Sequence, residues 1–135
     1  MTPDLVELAR RSAEPANRRD FDALMRFWAP TGVWDLSAMG LGIYQGDTAI
    51  RAFFEDWIGA YDEFQIDVQE ALYLGNDVVF AVLLQTARPA GSTGSVQIRY
   101  AAASTWVDGL IELITNYSDI DEARAAAERL AQERG

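Results

Sequence analysis

Two aspartates sit where the chain could move a proton. Asp35 ends a Val33-Trp34-Asp35 segment just ahead of a mostly apolar, glycine-containing loop, Leu36 to Ile43. A carboxylate covered by such a loop loses water, which favours the protonated acid and suits it to proton abstraction or donation. Asp119 closes Tyr117-Ser118-Asp119 near the end of the chain. Each has a plainer use as well. Asp35 can fold back on its own loop as a turn-initiating residue, and Asp119, with Glu122 three residues on, has the spacing of a helix cap. Composition directs attention to these groups, because the chain has no Cys and no His, and all 11 of its cations are Arg. That excludes thiol or imidazole nucleophiles, Ser-His-Asp triads, lysine Schiff bases and zinc sites of the Cys/His kind. Proton transfer is left to carboxylates, tyrosines and water, and neither metal nor cofactor is expected.

Tyr44, Tyr61, Tyr100 and Tyr117 pair an apolar body with a hydroxyl that needs a partner when buried, which suits a pocket wall. Trp57 and Trp106 are candidate apolar walls for the same ligand. Ala101-Ala102-Ala103-Ser104 is unusual for a strand, where large residues are the rule. Ala102 in its middle leaves room for a ligand, or for close packing of a helix.

The elements that must position these groups follow from periodicity. Leu5, Leu8, Ala9, Ser12 and Ala16 have helical spacing after Thr2-Pro3, and Pro15 is expected to end or kink that helix. Asp20 caps a short second helix with Phe21, Leu24, Met25 and Trp28 on one face, stopped at Pro30. Ile50, Phe53, Phe54, Trp57, Ile58 and Tyr61 form the apolar stripe of a third helix opened by Gly46-Asp47. Strands are expected over 32–37, 64–74, 78–88, 95–107 and 110–118. Gly75-Asn76 and Asp108-Gly109 supply hairpin turns, and a last helix covers 121–133. The result is α+β, an antiparallel meander with helices on one face, in a single domain over residues 1–135.

The formal charge of −10 repels phosphate backbones and the arginines are scattered, so no nucleic-acid partner is expected. The longest purely apolar run, Val78 to Leu84, is far too short to cross a membrane, and no signal peptide is seen near the start. A cytoplasmic location and no membrane partner are the expectation. Asn116-Tyr117-Ser118 matches a glycosylation sequon and is read as chance.

Asn17-Arg18-Arg19-Asp20-Phe21-Asp22-Ala23-Leu24, Gly46-Asp47-Thr48-Ala49-Ile50-Arg51-Ala52-Phe53-Phe54, Asp108-Gly109 and Tyr117-Ser118-Asp119 together resemble the nuclear transport factor 2-like superfamily, and within it the SnoaL-like branch. The resemblance spans essentially the whole chain. It implies a cone-shaped, curled antiparallel sheet with helices on its concave face, a cystatin-like α+β barrel around a pocket. It also implies a homodimer paired through the sheet, which the two-sided apolar run Val78 to Leu84 supports independently. Asp35 matches the general-base position of the ketosteroid isomerase branch, whose oxyanion-hole positions fall near Ser12 and Ala102 here. Asp119 matches the terminal aspartate of the limonene epoxide hydrolase branch, whose middle-strand Arg and Asp positions are Leu84 and Thr86. The implied function is a pocket for a small apolar or aromatic molecule, with cofactor-free acid/base chemistry of the isomerase, cyclase, hydratase or epoxide hydrolase class. The alternative is a non-catalytic ligand-binding or accessory domain.

Overall fold

A computed structural model of the chain describes residues 4–135, so the Thr2-Pro3 start lies outside the described residues. Helix α1 (Leu5–Asn17) is capped by Asp4, whose Oδ1 accepts from the Glu7 backbone N–H at 3.1 Å. Pro15 does not end it. The helix runs two residues past Pro15, and Arg19, at φ +57°, makes the break. The short α2 (Phe21–Met25) is capped by Asp20 in the same way.

Trp28 and Pro30 belong not to α2 but to strand β1 (Trp28–Asp35). A proline is tolerated there because register with the neighbouring strand breaks between Trp28 and Val33, so no ladder bond is lost at Pro30. After a single 3-10 turn (Ser37–Met39) come β2 (Ile43–Gln45) and α3 (Asp47–Gly59). Four long strands follow: β3 (Tyr61–Gly75), β4 (Val78–Pro89), β5 (Val96–Val107) and β6 (Leu110–Tyr117), then α4 (Ile120–Arg134). Tyr61 opens β3 rather than closing α3. The β3–β4 turn is Asn76-Asp77, both at positive φ (+54° and +62°), one residue later than expected.

The six strands lie in the order β2-β1-β6-β5-β4-β3. All neighbours are antiparallel except β1 and β6, which run parallel. The sheet is therefore mixed rather than an antiparallel meander. It is also not closed into a barrel, since β2 and β3 remain its two edges.

Alternation along the strands divides the core in two. Val79 and Ala87 of β4, Trp106 of β5, Ile111 and Ile114 of β6 and Trp34 of β1 face α1, α2 and α3. Val78, Phe80 and Val82 of β4 and Ala101 and Ala103 of β5 face the other way, against Ala123, Ala127 and Ala131 of α4. The first group defines an inner face and the second an outer one. Helices are thus not confined to one face, because α4 covers the outer side. It docks closely because small residues meet small residues. The two-sided apolar run of β4 is accounted for by this intrachain packing, which removes the sequence argument that it marks a subunit interface.

Candidate ligand cavity

On the inner face, between the sheet and α3, lies a cavity of about 530 Å³, within the range usual for small-molecule sites. Trp34 and Leu36 of β1 and its following loop, Phe53 and Trp57 of α3, and Gln85, Tyr100 and Asn116 of the central strands form its walls. Leu41, Ile98 and Asp56 are exposed and mark its mouth. A smaller chamber of about 100 Å³ continues toward α1, lined by Ala9, Ser12, Ala13 and Ala16, and shares Trp34, Trp57, Tyr100 and Asn116 with the larger one. Ala102 lines this inner chamber, where its small side chain leaves the space.

The loop over the mouth is held by its own backbone. Leu36 N–H donates to the Gly42 carbonyl at 2.8 Å, and Leu41 N–H to the Leu36 carbonyl at 3.0 Å. Gly40 and Gly42 take φ of +77° and +90°, a conformation that only glycine adopts at little cost. The Tyr44 hydroxyl donates to the Leu41 carbonyl at 3.0 Å, tying loop to wall.

The structure brings Tyr44, Trp57, Tyr61, Tyr100 and Ala102 together around the two chambers. It places four other candidates elsewhere. Trp106 is buried in the inner core, its indole N–H donating to Ser104 Oγ at 2.9 Å. Tyr117 packs with the outer cluster under α4. Asp35 pairs with Thr115, which pairs in turn with Ala103 beneath α4, so its side chain leaves the sheet on the outer face. Its Oδ1 accepts from Ser37 N–H at 2.9 Å and from Ser37 Oγ at 2.5 Å, which is the turn-initiating arrangement. Asp119 caps α4, accepting from Glu122 N–H at 3.0 Å. Neither carboxylate lines the cavity, whose acidic group is Asp56 at the mouth.

Of three polar side chains on the inner face of the sheet, Tyr100 was expected as a site residue and Asn116 and Gln85 were not. Asn116 and Gln85 are each buried to 4% exposure or less, and Tyr100 lies between their strands. The signal was present in the alternation. Val79, Leu83, Gln85 and Ala87 share the inward side of β4, and Ile114 and Asn116 that of β6, so an amide at such a position is an anomaly that a pocket explains. A polar groove at the far end of β3 and β4 is less promising. Its arginines are spent: Arg19 donates to the carbonyls of Ile58 and Tyr61, and Arg88 pairs with Asp62 and Glu63 at 3.3 and 3.5 Å. Among the described residues no cluster of potential metal ligands occurs, and no helix is long and apolar enough to cross a membrane.

Burial pushes the Tyr100 phenol well above its ordinary value of 10.0. Tyr117 is raised as well, first by desolvation and then by the negative charges of Asp35 and Glu122. Above pH of about 10 the unfolded chain releases these protons and the folded one keeps them. Their contribution to stability is complete below that pH and is lost as pH rises further. Ultraviolet titration should show the Tyr100 phenol ionising late, with unfolding; its ionisation in a protein that stays folded would contradict the burial.

Residues 9–114 match the family model described as a SnoaL-like domain. No curated protein is similar enough in sequence to match the chain. Among solved structures, TerC co-crystallised with polyporic acid is similar at 16% identity, over 92% of this chain and 98% of that one, with a TM-score of 0.73. A Catenulispora acidiphila protein with a ketosteroid isomerase-like fold, in complex with trimethylamine, is similar at 16% identity over 94% of both chains, TM-score 0.73. An LEH-like epoxide hydrolase of M. tuberculosis is similar at 14% identity, over 93% of this chain and 90% of that one, TM-score 0.72. At such identities these likenesses establish the fold alone.

Proposed function

Because the chain belongs to the SnoaL-like domain family, in the nuclear transport factor 2-like superfamily, we propose that it binds a compact, flat, apolar or aromatic molecule in the inner-face cavity. The observation that carries this is the wall itself. Trp34, Tyr44, Phe53, Trp57, Tyr61 and Tyr100 surround a space of ligand size, with ionisable carboxylate only at the rim. Flat rings stack against such walls, and a neutral interior disfavours charged guests. A fold relative, TerC, was co-crystallised with polyporic acid, which accords with a small-molecule guest.

One observation favours a second reading, turnover of the bound molecule. Asp56 lines the mouth beside Trp57 and Tyr61, one helical turn from the ligand wall. It replaces Asp35 and Asp119 as the carboxylate within reach of a guest. Acid/base work of the isomerase, cyclase, hydratase or epoxide hydrolase kind would fall to it.

Trp34 and Trp57 both face the cavity, so indole fluorescence reports occupancy. Titration with naphthalene and 2-naphthol should quench it saturably. Trp57→Ala, which removes one wall of the cavity, should weaken binding at least about tenfold through lost ring contact, with the melting temperature showing the variant folded. Non-saturable quenching, or unchanged binding in a folded Trp57→Ala protein, would refute the assignment. An Asp56→Asn variant that binds normally would leave binding intact and isolate any proton-transfer role.

A further inference from the structure

The cavity contains one polar group whose orientation is fixed by chemistry rather than by choice. Asn116 Oδ1 lies 2.6 Å from Trp34 Nε1. An indole N–H can only donate, so the atom facing it must be the amide oxygen, and the amide nitrogen is turned the other way. Asn116 is 3% exposed and lines both chambers where they join. Among the described residues its Nδ2 has no hydrogen-bond partner, yet no fully enclosed side-chain N or O is left unpaired. The nitrogen therefore opens on the cavity with two hydrogens to give.

We propose that Asn116 is a binding residue for an acceptor oxygen, and that the ligand class is a flat apolar molecule bearing a carbonyl. The proposal rests on the cavity reading above and deepens it. A buried amide without a partner is costly, and a guest carbonyl loses its own water on entering; each satisfies the other. A hydrocarbon of the same shape leaves both the donor and the space unused. The indole of Trp34 acts as the positioning group, holding the amide plane by its far end. Gln85 offers a second amide but serves a different place. Its Oε1 accepts from the Tyr100 hydroxyl at 3.4 Å, and it pairs with Ile98, whereas Asn116 pairs with Ala102, four residues further along β5. The two amides thus do not converge on one oxygen.

The test compares 1-tetralone with tetralin, a pair of equal outline differing by one carbonyl, by ligand-observed NMR titration. The wild-type protein should bind both, with the ratio of affinities favouring the ketone. Asn116→Asp keeps an oxygen for Trp34 and replaces the donor with an acceptor, so at neutral pH that ratio should fall at least about tenfold while tetralin binding is kept. Gln97→Met, at an exposed amide of β5 that lines neither chamber, should leave the ratio within about twofold. Since a buried carboxylate can unfold the variant, the carbonyl stretch of wild-type-bound 1-tetralone is read as well, and should shift to lower frequency than in hydrocarbon solvent. Equal affinity for the two compounds, an unshifted carbonyl, or a ratio kept in a folded Asn116→Asp protein would overturn the assignment of Asn116 and leave the cavity reading standing. Failure of both compounds to bind would overturn the cavity reading and this one with it.

Discussion

Replacing Trp34 by alanine should cost about 3–5 kcal/mol of stability, since truncating a large buried aromatic removes its transfer energy and leaves a hole. Trp34 is 5% exposed and stands at the centre of the aromatic cluster. Its ring centroid is 4.4 Å from Phe54, 5.2 Å from Phe53, 5.9 Å from Trp57 and 6.0 Å from Trp28. The loss should also enlarge the cavity and free the Asn116 carbonyl from its one partner among the described residues. Trp34→Phe separates the two effects: it keeps most of the packing and removes the indole donor, for an expected loss of roughly 1–3 kcal/mol. Urea melts measure both. A loss below about 1 kcal/mol for Trp34→Ala would mean that the cluster is looser than its ring distances imply. Trp57, by contrast, is half-buried and spends part of its surface on the cavity, so Trp57→Ala should affect ligand binding more than folding.

Phe80→Ala should have an effect of similar size on the opposite side of the sheet. Phe80 is 1% exposed and lies beneath α4, with the Arg124 guanidinium 6.0 Å from its ring centroid. Cavity formation alone predicts about 3–5 kcal/mol. Amide hydrogen exchange gives the sharper result, because α4 is held to the sheet by this cluster. Its amides should lose protection first, while those of α3 keep theirs. Uniform loss of protection across both helices, or none in α4, would show that the outer cluster does not anchor that helix.

What could be read from the sequence was what local pattern encodes. The helical stripe of α3 and the alternation of β4 to β6 place those elements to within a few residues. The stripe did not tell its two uses apart: Ile50, Phe54 and Ile58 enter the core, while Phe53 and Trp57, on the flank of the same stripe, wall the cavity. The parallel pairing of β1 with β6 was not legible, because it joins residues some eighty positions apart with no turn to announce it. Nor was the outer position of α4, whose alanines read as inward without saying toward which side of the sheet. Asp35 and Asp119 stand out in the sequence because their residue type can move protons and their positions resemble those of related enzymes. Their short side chains are instead satisfied by neighbouring backbone N–H groups. In the sequence Asn116 reads as part of a chance sequon, although its inward register beside Ala102 is what places it in the site.

The docking of α4 has a consequence during synthesis. Residues emerge in order, and the apolar outer side of β4 and β5 is complete before α4, which follows both in the chain, has been made. Until those last 15 helical residues arrive, Val78, Phe80 and Val82 have nothing of their own chain to cover them. A chain ending at Tyr117 would present a bare, strand-rich, apolar surface, the kind that chaperones hold and that other chains stick to. Its soluble yield should therefore fall well below that of the chain through α4.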